Sequence, residues 1–158
     1  NLTLQGRHDT YPKRRGMTRV KELMQAGVNV AFGHDCVMDP WYPLGSHDML
    51  EVAHMGLHVA QMTGAEEMHR LFEAVTFNGA KTLGLEGYGL EPGCFADLVV
   101  LQAGDPVEAL RLRPARLFVL RRGEVIAETS PVAARLNLGG PALPVDFRHD
   151  VDDEPCGH

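Results

Sequence analysis

The segment that most constrains this chain is "VNVAF", residues 28–32, set between Gly27 and Gly33. Only Asn29 interrupts its apolar character, so both faces call for cover, the pattern of a strand inside a parallel sheet rather than a half-solvated hairpin. Just upstream, Val20, Leu23 and Met24 recur at helical spacing, with Gly16 or Thr18 available as caps and Gly27 where a helix stops. A helix over 17–26 followed by a buried strand is the αβ rhythm of a parallel sheet.

In such architectures chemistry gathers beyond the carboxyl ends of the strands, where loops converge on a rigid scaffold. "GHDC", residues 33–36, occupies that place and sets His34, Asp35 and Cys36 side by side. An Asp there can bind a divalent cation through one oxygen and take a proton from cation-bound water with the other, or it can cap the loop. Trp41, the only tryptophan, lies between Pro40 and Pro43. On a loop stiffened in this way an indole can stack over a planar ligand, or it can pack beneath the loop. Cys36 has only His34 as a neighbouring base, a weak case for a nucleophile.

The other histidines point to structure rather than chemistry. His54 and His58 are four apart on one helical face, but Met55 stands where a zinc-protease motif needs Glu. His69 falls on a surface-type helix, and His149 and His158 fall in the tail. No Walker motif, GxGxxG or GxSxG occurs, so phosphate cradles and serine-hydrolase elbows are unsupported.

Three more helices are expected. One covers "HDMLEVAHMGLHVAQM" with Ser46 as its cap, one covers "AEEMHRLFEAVT" with a capping box from Thr63 to Glu66, and a short one in "NGAKTLGL" ends at Gly84. From Tyr88 the texture turns to β: "ADLVVLQ" reads as a strand, and "RLFVLRRGEVIAE" as a hairpin turning at Arg122 and Gly123. "DPVEALR" between them reads as a helix capped by Asp105, with Pro106 in its first turn. The expected divisions are a helical and parallel-strand segment over 1–84, a small β segment over 85–136 and a flexible tail over 137–158.

Composition narrows the function classes. A net charge of −6, with "KRR" at 13–15 as the only basic cluster, argues against a nucleic-acid surface. No apolar run approaches the ~20 residues of a membrane span and no secretory pattern is present, so a cytoplasmic setting away from membranes is expected. Three cysteines without CxxC spacing read as reduced thiols. The chain opens at Asn1 without an initiator Met, as a piece of a longer protein would.

"NGAKTLGL", then "YGLEPGCFADLVVL" and "VLRRGEVIAE", resemble the end of the metal-dependent amidohydrolases, where the last barrel helices lead into a small β-sandwich. "LQGRHDTYPKRRGMTRVKELMQAGVNVAFGHDCVMDPWYPLGSHDMLEVAHMGLHVAQ" resembles the bacterial cytosine deaminases, and the likeness covers about residues 1–136. The resemblance implies an α/β fold, the C-terminal part of a distorted (β/α)8 TIM-type barrel followed by strands of a small β-sandwich. It implies one divalent metal ion, iron or zinc, in the complete enzyme, which would deaminate cytosine to uracil and ammonia. The partner is then a small nucleobase substrate, with a homo-oligomer expected for the full-length protein.

By that likeness Asp35 matches the metal-ligating Asp after the eighth strand, which also shuttles the proton. Trp41 matches a ring that packs against the base, and His34 and Cys36 flank the substrate. Cys36 departs from the pattern, because the best-known members carry a second Asp there. A thiol is the weaker hydrogen-bonding partner, so isoguanine or another cyclic amidine stays open as substrate. The family's remaining metal histidines and its ring-protonating Glu precede Asn1, and catalytic sites need ~3 protein ligands, so the chain alone is expected to be inactive. A rival from another class is a non-catalytic binding module reusing the fold.

Overall fold

The structure, a computed structural model, describes residues 4–147. His149, Cys156 and His158, the first three residues of "NLTL" and the tail from 148 lie outside the described residues. The chain divides into two compact units, Asn1–Glu86 and Gly87–His158.

The first unit opens with a loop tied by its own charges. Asp9 takes both Arg14 Nε (2.6 Å) and Arg14 Nη2 (2.7 Å), and Lys13 Nζ donates to the carbonyls of Gly6, Arg7 and Asp9 at 2.9–3.2 Å. Four helices follow: α1 (Val20–Gln25), α2 (Met49–Val59), α3 (Ala65–Ala74) and α4 (Phe77–Thr82). α3 packs against both α2 and α4. Its buried Leu71 and Ala74, with Leu50, Ala53 and Leu57 of α2 and Met62 just beyond, make the core of this unit.

The helices form where their apolar spacing places them, but their first residues differ from expectation. α1 begins at Val20 after Arg19, not at 17. Asp48 rather than Ser46 caps α2, accepting from Leu50 N at 2.7 Å, while Ser46 Oγ donates to Glu51 Oε2 at 2.8 Å. The capping box sits one residue later than the spacing of Thr63 and Glu66 suggests: Gly64 N–H donates to Glu67 Oε2 at 3.1 Å. Glycine has no side chain to return the bond, so half a box is made.

The parallel strand expected at 28–32 is not paired. A strand is defined by its neighbours, and among the described residues every ladder is antiparallel and none includes this segment. Helices satisfy part of its backbone instead. Phe32 N–H donates to Ala74 O (2.9 Å), Asn78 Nδ2 donates to Val30 O (2.9 Å), and Asn29 Nδ2 reaches Asn78 O (3.1 Å) and Thr82 Oγ1 (2.9 Å). The segment thus rests on α3 and α4, with Val28 half exposed.

In the second unit β1 (Leu98–Leu101), β2 (Arg116–Arg121) and β3 (Glu124–Glu128) form an antiparallel sheet in that order, joined by α5 (Pro106–Leu112) between β1 and β2. Asp105 Oδ1 caps α5 by accepting Glu108 N–H at 2.9 Å, with Pro106 opening the helix as expected. The β2–β3 hairpin pairs Arg121 with Glu124 across Arg122 and Gly123, whose φ of +54° and +84° are those of a type I′ turn. Arg122 stacks its guanidinium 3.5 Å over Phe95 and gives its amide to Asp97 Oδ1 at 2.6 Å, tying the turn to the residues before β1. Glu108, buried on α5, is neutralised by a fork from Arg111, two bonds of 2.7 Å.

Where a flexible tail was expected from 137, β4 (Ala134–Leu136) pairs with β5 (Leu143–Val145) in a second, two-stranded sheet. Backbone pairing across the Gly139–Gly140 turn orders residues with almost no side-chain burial, which a reading from hydrophobicity does not see.

Candidate functional site

The residues after 32 turn sharply. Asp35 has φ +66°, Met38 +49° and His47 +60°, three non-glycine residues in the left-handed region within one loop. Aspartate tolerates this better than most residues, and clusters of such strain mark positions that the surroundings over-determine. Gly45, at φ +92°, is required by contact: a Cβ there would stand 2.7 Å from His34 Cε1.

A cleft of about 460 Å³ opens at this turn, with Phe32, His34, Asp35, Tyr42, Glu51 and Met55 on its walls. Helix α2 forms one side and the end of the 28–32 segment another, while Gln5, Gly16 and Met17 from the N-terminal loop complete the rim. The structure therefore brings His34 and Asp35 to one cavity. Cys36 and Trp41 sit on the adjoining loop and are not among the residues lining it.

His34 is half buried. Its Nδ1 lies 3.1 Å from Cys36 O, and a carbonyl can only accept, so Nδ1 carries the hydrogen there. Its Nε2 is enclosed and, among the described residues, has no hydrogen-bond partner. The Asp35 carboxylate is exposed on the cleft. The Cys36 thiol is pushed up to about 11, first by its hydrogen bond to Asp39, then by burial and by the neighbouring carboxylates. A thiol so placed stays protonated at neutral pH, the opposite of an activated nucleophile.

Trp41 leaves 66% of its surface open, so the indole is not a packing residue under the loop. Tyr42, Glu51 and Asp39 were not anticipated as site residues. Asp39 carried the available signal: it opens the turn-forming run "DPWYP". Its carboxyl lies below its ordinary range, chiefly because it accepts the Tyr42 amide.

Asp35 offers a divalent metal a hard oxygen donor of the right type, yet among the described residues no three His, Cys, Asp or Glu side chains converge. The chain fits such an ion as a contributor of one ligand. The His54 and His58 rings, 4.5 Å apart, do not extend the set: His58 Nδ1 bonds back to His54 O at 2.8 Å, inside their own helix. Among the described residues no helix is long and apolar enough to cross a membrane.

The fold is shared with a solved protein. A 5-methylcytosine deaminase from Klebsiella pneumoniae liganded with 5-fluorocytosine superposes with a TM-score of 0.80 at 43% identity, over 85% of this chain and 33% of that one. N-isopropylammelide isopropyl amidohydrolase of Pseudomonas sp. (strain ADP) is 32% identical over 116 residues, 73% of this chain and 29% of that protein. Pterin deaminase of Rhizobium rhizogenes is 33% identical over 133 residues, 83% of this chain and 30% of that protein. The chain thus spans about a third of the length of these relatives. The sequence model of the amidohydrolase family matches residues 1–133, which takes in the strained turn, the cleft and the three-stranded sheet alike, and the chain belongs to that family.

Proposed function

We propose that this chain is the C-terminal part of a metal-dependent deaminase of amino-heterocycles, with cytosine or a close analogue as substrate, built on a (β/α)8 barrel. The observation that carries the reading is Asp35, held in left-handed backbone geometry at a cleft that a chain 43% identical to a 5-methylcytosine deaminase forms. In the complete protein, ligands outside this chain would join Asp35 around one iron or zinc ion, which supplies a water acidified toward pKa ~7. Asp35 would take a proton from the attacking water and give it to the departing amine nitrogen, so that ammonia leaves neutral, while the water's second proton ends on the ring nitrogen beside the attacked carbon. Trp41 covers the heterocycle, and His34 and Cys36 flank it. We place the protein in the cytoplasm, as a homo-oligomer.

Cys36 favours a second reading within the same chemistry. A protonated thiol already donating to Asp39 offers substrate less than a carboxylate would, which suits an amino-heterocycle other than cytosine, such as isoguanine.

The test measures ammonia release by the complete protein from cytosine, 5-methylcytosine and isoguanine, with iron or zinc supplied. Turnover of at least one is expected, and Asp35→Asn should lower it by about 10²–10⁴-fold, the range of general acid–base catalysis. The 158-residue chain alone should release none. Full activity in the Asp35→Asn protein, or release by the chain alone, would overturn the assignment.

A further inference from the structure

The loop beyond Cys36 is folded around one carboxylate. Asp39 Oδ1 accepts the amide N–H of Trp41 at 2.9 Å and that of Tyr42 at 2.8 Å. Asp39 N–H in turn donates to Tyr42 O at 3.2 Å, and Met38 N–H to Leu44 O at 3.1 Å, making two rungs that close the loop on itself. Met38 holds φ +49°, a conformation methionine does not favour, between these rungs. Trp41 stands at the tip with its indole mostly in solvent, so backbone rather than packing sets where the ring points.

We propose that Asp39 is a positioning residue: by holding the Trp41 and Tyr42 amides on one oxygen, it fixes the direction from which the indole meets a planar heterocyclic ligand. What the indole covers rests on the proposed function; what Asp39 holds does not. Asp39→Ala removes the acceptor and frees both amides. Asp39→Asn keeps a carbonyl oxygen at the same place and should restore the turn, although it alters the partner offered to the Cys36 thiol.

Two measurements on this chain test the holding. Hydrogen exchange should show the Trp41 and Tyr42 amides slowed about tenfold or more against an unstructured peptide, with protection lost in Asp39→Ala and kept in Asp39→Asn. Trp41 is the only tryptophan, so its fluorescence is specific to the loop. Iodide quenching, limited to a rise of about 1.5-fold because Trp41 is already 66% exposed, should increase in Asp39→Ala and stay at the parental value in Asp39→Asn, as loosening of a local contact without global unfolding would give. Far-UV circular dichroism identifies an unfolded alanine variant, in which case the parental protection and the Asn variant decide. In the complete protein, Asp39→Ala should raise KM about tenfold with kcat changed less than about threefold, and should add nothing in a Trp41→Ala background. Unprotected parental amides, unchanged quenching in Asp39→Ala, an Asn variant that behaves like Ala, or additive effects with Trp41→Ala would each overturn the proposal. Loosening by Asp39→Ala in a protein that releases no ammonia from any heterocycle would instead sink the proposed function and leave the positioning role standing.

Discussion

Replacing Gly56 by alanine sets two effects of opposite sign against each other at the wall of the cleft. Gly56 lies inside α2, buried under the Phe32 ring, and a methyl group on its Cα would stand 2.5 Å from Phe32 Cε2 and 3.3 Å from Cδ2 and Cζ. Carbon atoms rest at about 3.5–4.0 Å, so the ring or the helix must give by roughly 1 Å. Helix propensity favours alanine over glycine by about 1 kcal/mol, whereas overpacking costs about 1–3 kcal/mol. With a clash of this depth we take about 2 kcal/mol for the cost, leaving a net loss of about 1 kcal/mol. Phe32→Ala removes the obstacle, and in that background Gly56→Ala should stabilise by the full propensity term of about 1 kcal/mol. The coupling between the two sites is then about 2 kcal/mol, well outside the scatter of independent mutations. Urea unfolding of the four proteins, followed by circular dichroism with a common m-value, measures it. Stabilisation by Gly56→Ala while Phe32 is present, or a coupling within about 0.5 kcal/mol of zero, would refute the reasoning.

Leu71→Ala empties a position with no exposed surface in the packing of α3 on its neighbours, and should cost about 2–5 kcal/mol in the same unfolding experiment. Acidification should also weaken the chain. The carboxyls of Asp39 and Glu67 lie below their ordinary values of 3.8 and 4.5, Asp39 chiefly through the Tyr42 amide and Glu67 chiefly through Lys21. The unfolded chain therefore binds these protons first. Their contribution is whole above 4.5 and is lost as pH falls through the lower folded values. The urea midpoint should stay level near neutrality and decline below about pH 4.5, and a midpoint that rises on acidification would contradict these contacts.

What could be read from residues alone was chemistry that closes locally. Asp105 followed by Pro106 announced α5, and Arg122–Gly123 announced the hairpin, because a cap or a tight turn is decided within four residues. The caps expected at Ser46 and Thr63 fall two and one positions later, because Asp48 and Gly64 are the extended residues that open α2 and α3: Asp48 accepts the Leu50 amide, whereas Gly64, with no side chain, only gives its own N–H to Glu67. "VNVAF" was recognisable as a segment wanting cover, but strand pairing is a property of two segments and the described residues hold no partner for it. At the site, Asp35 and His34 were legible from their place after that run. Glu51 and Met55 were not, because they reach the cleft from α2, and only the packing of that helix against Phe32 brings them there. Asp39 was visible as a turn former, yet its grip on the Trp41 amide depends on a geometry that composition does not encode.

Asn29 and Asn78 act on the 28–32 segment as a key acts in a keyway. Val28, Val30 and Phe32 repeat every second residue, so greasy contact alone would tolerate a slide of two positions, which would carry Asp35 about 7 Å from its place at the cleft. The amide of Asn29 finds Asn78 O and Thr82 Oγ1 in one phase, with Asn78 answering on Val30 O. A valine at that position would make the run stickier and leave its phase unspecified. The one polar residue that seems to spoil the run thus contributes information rather than adhesion, and the height of the carboxylate above the helices is what that information specifies.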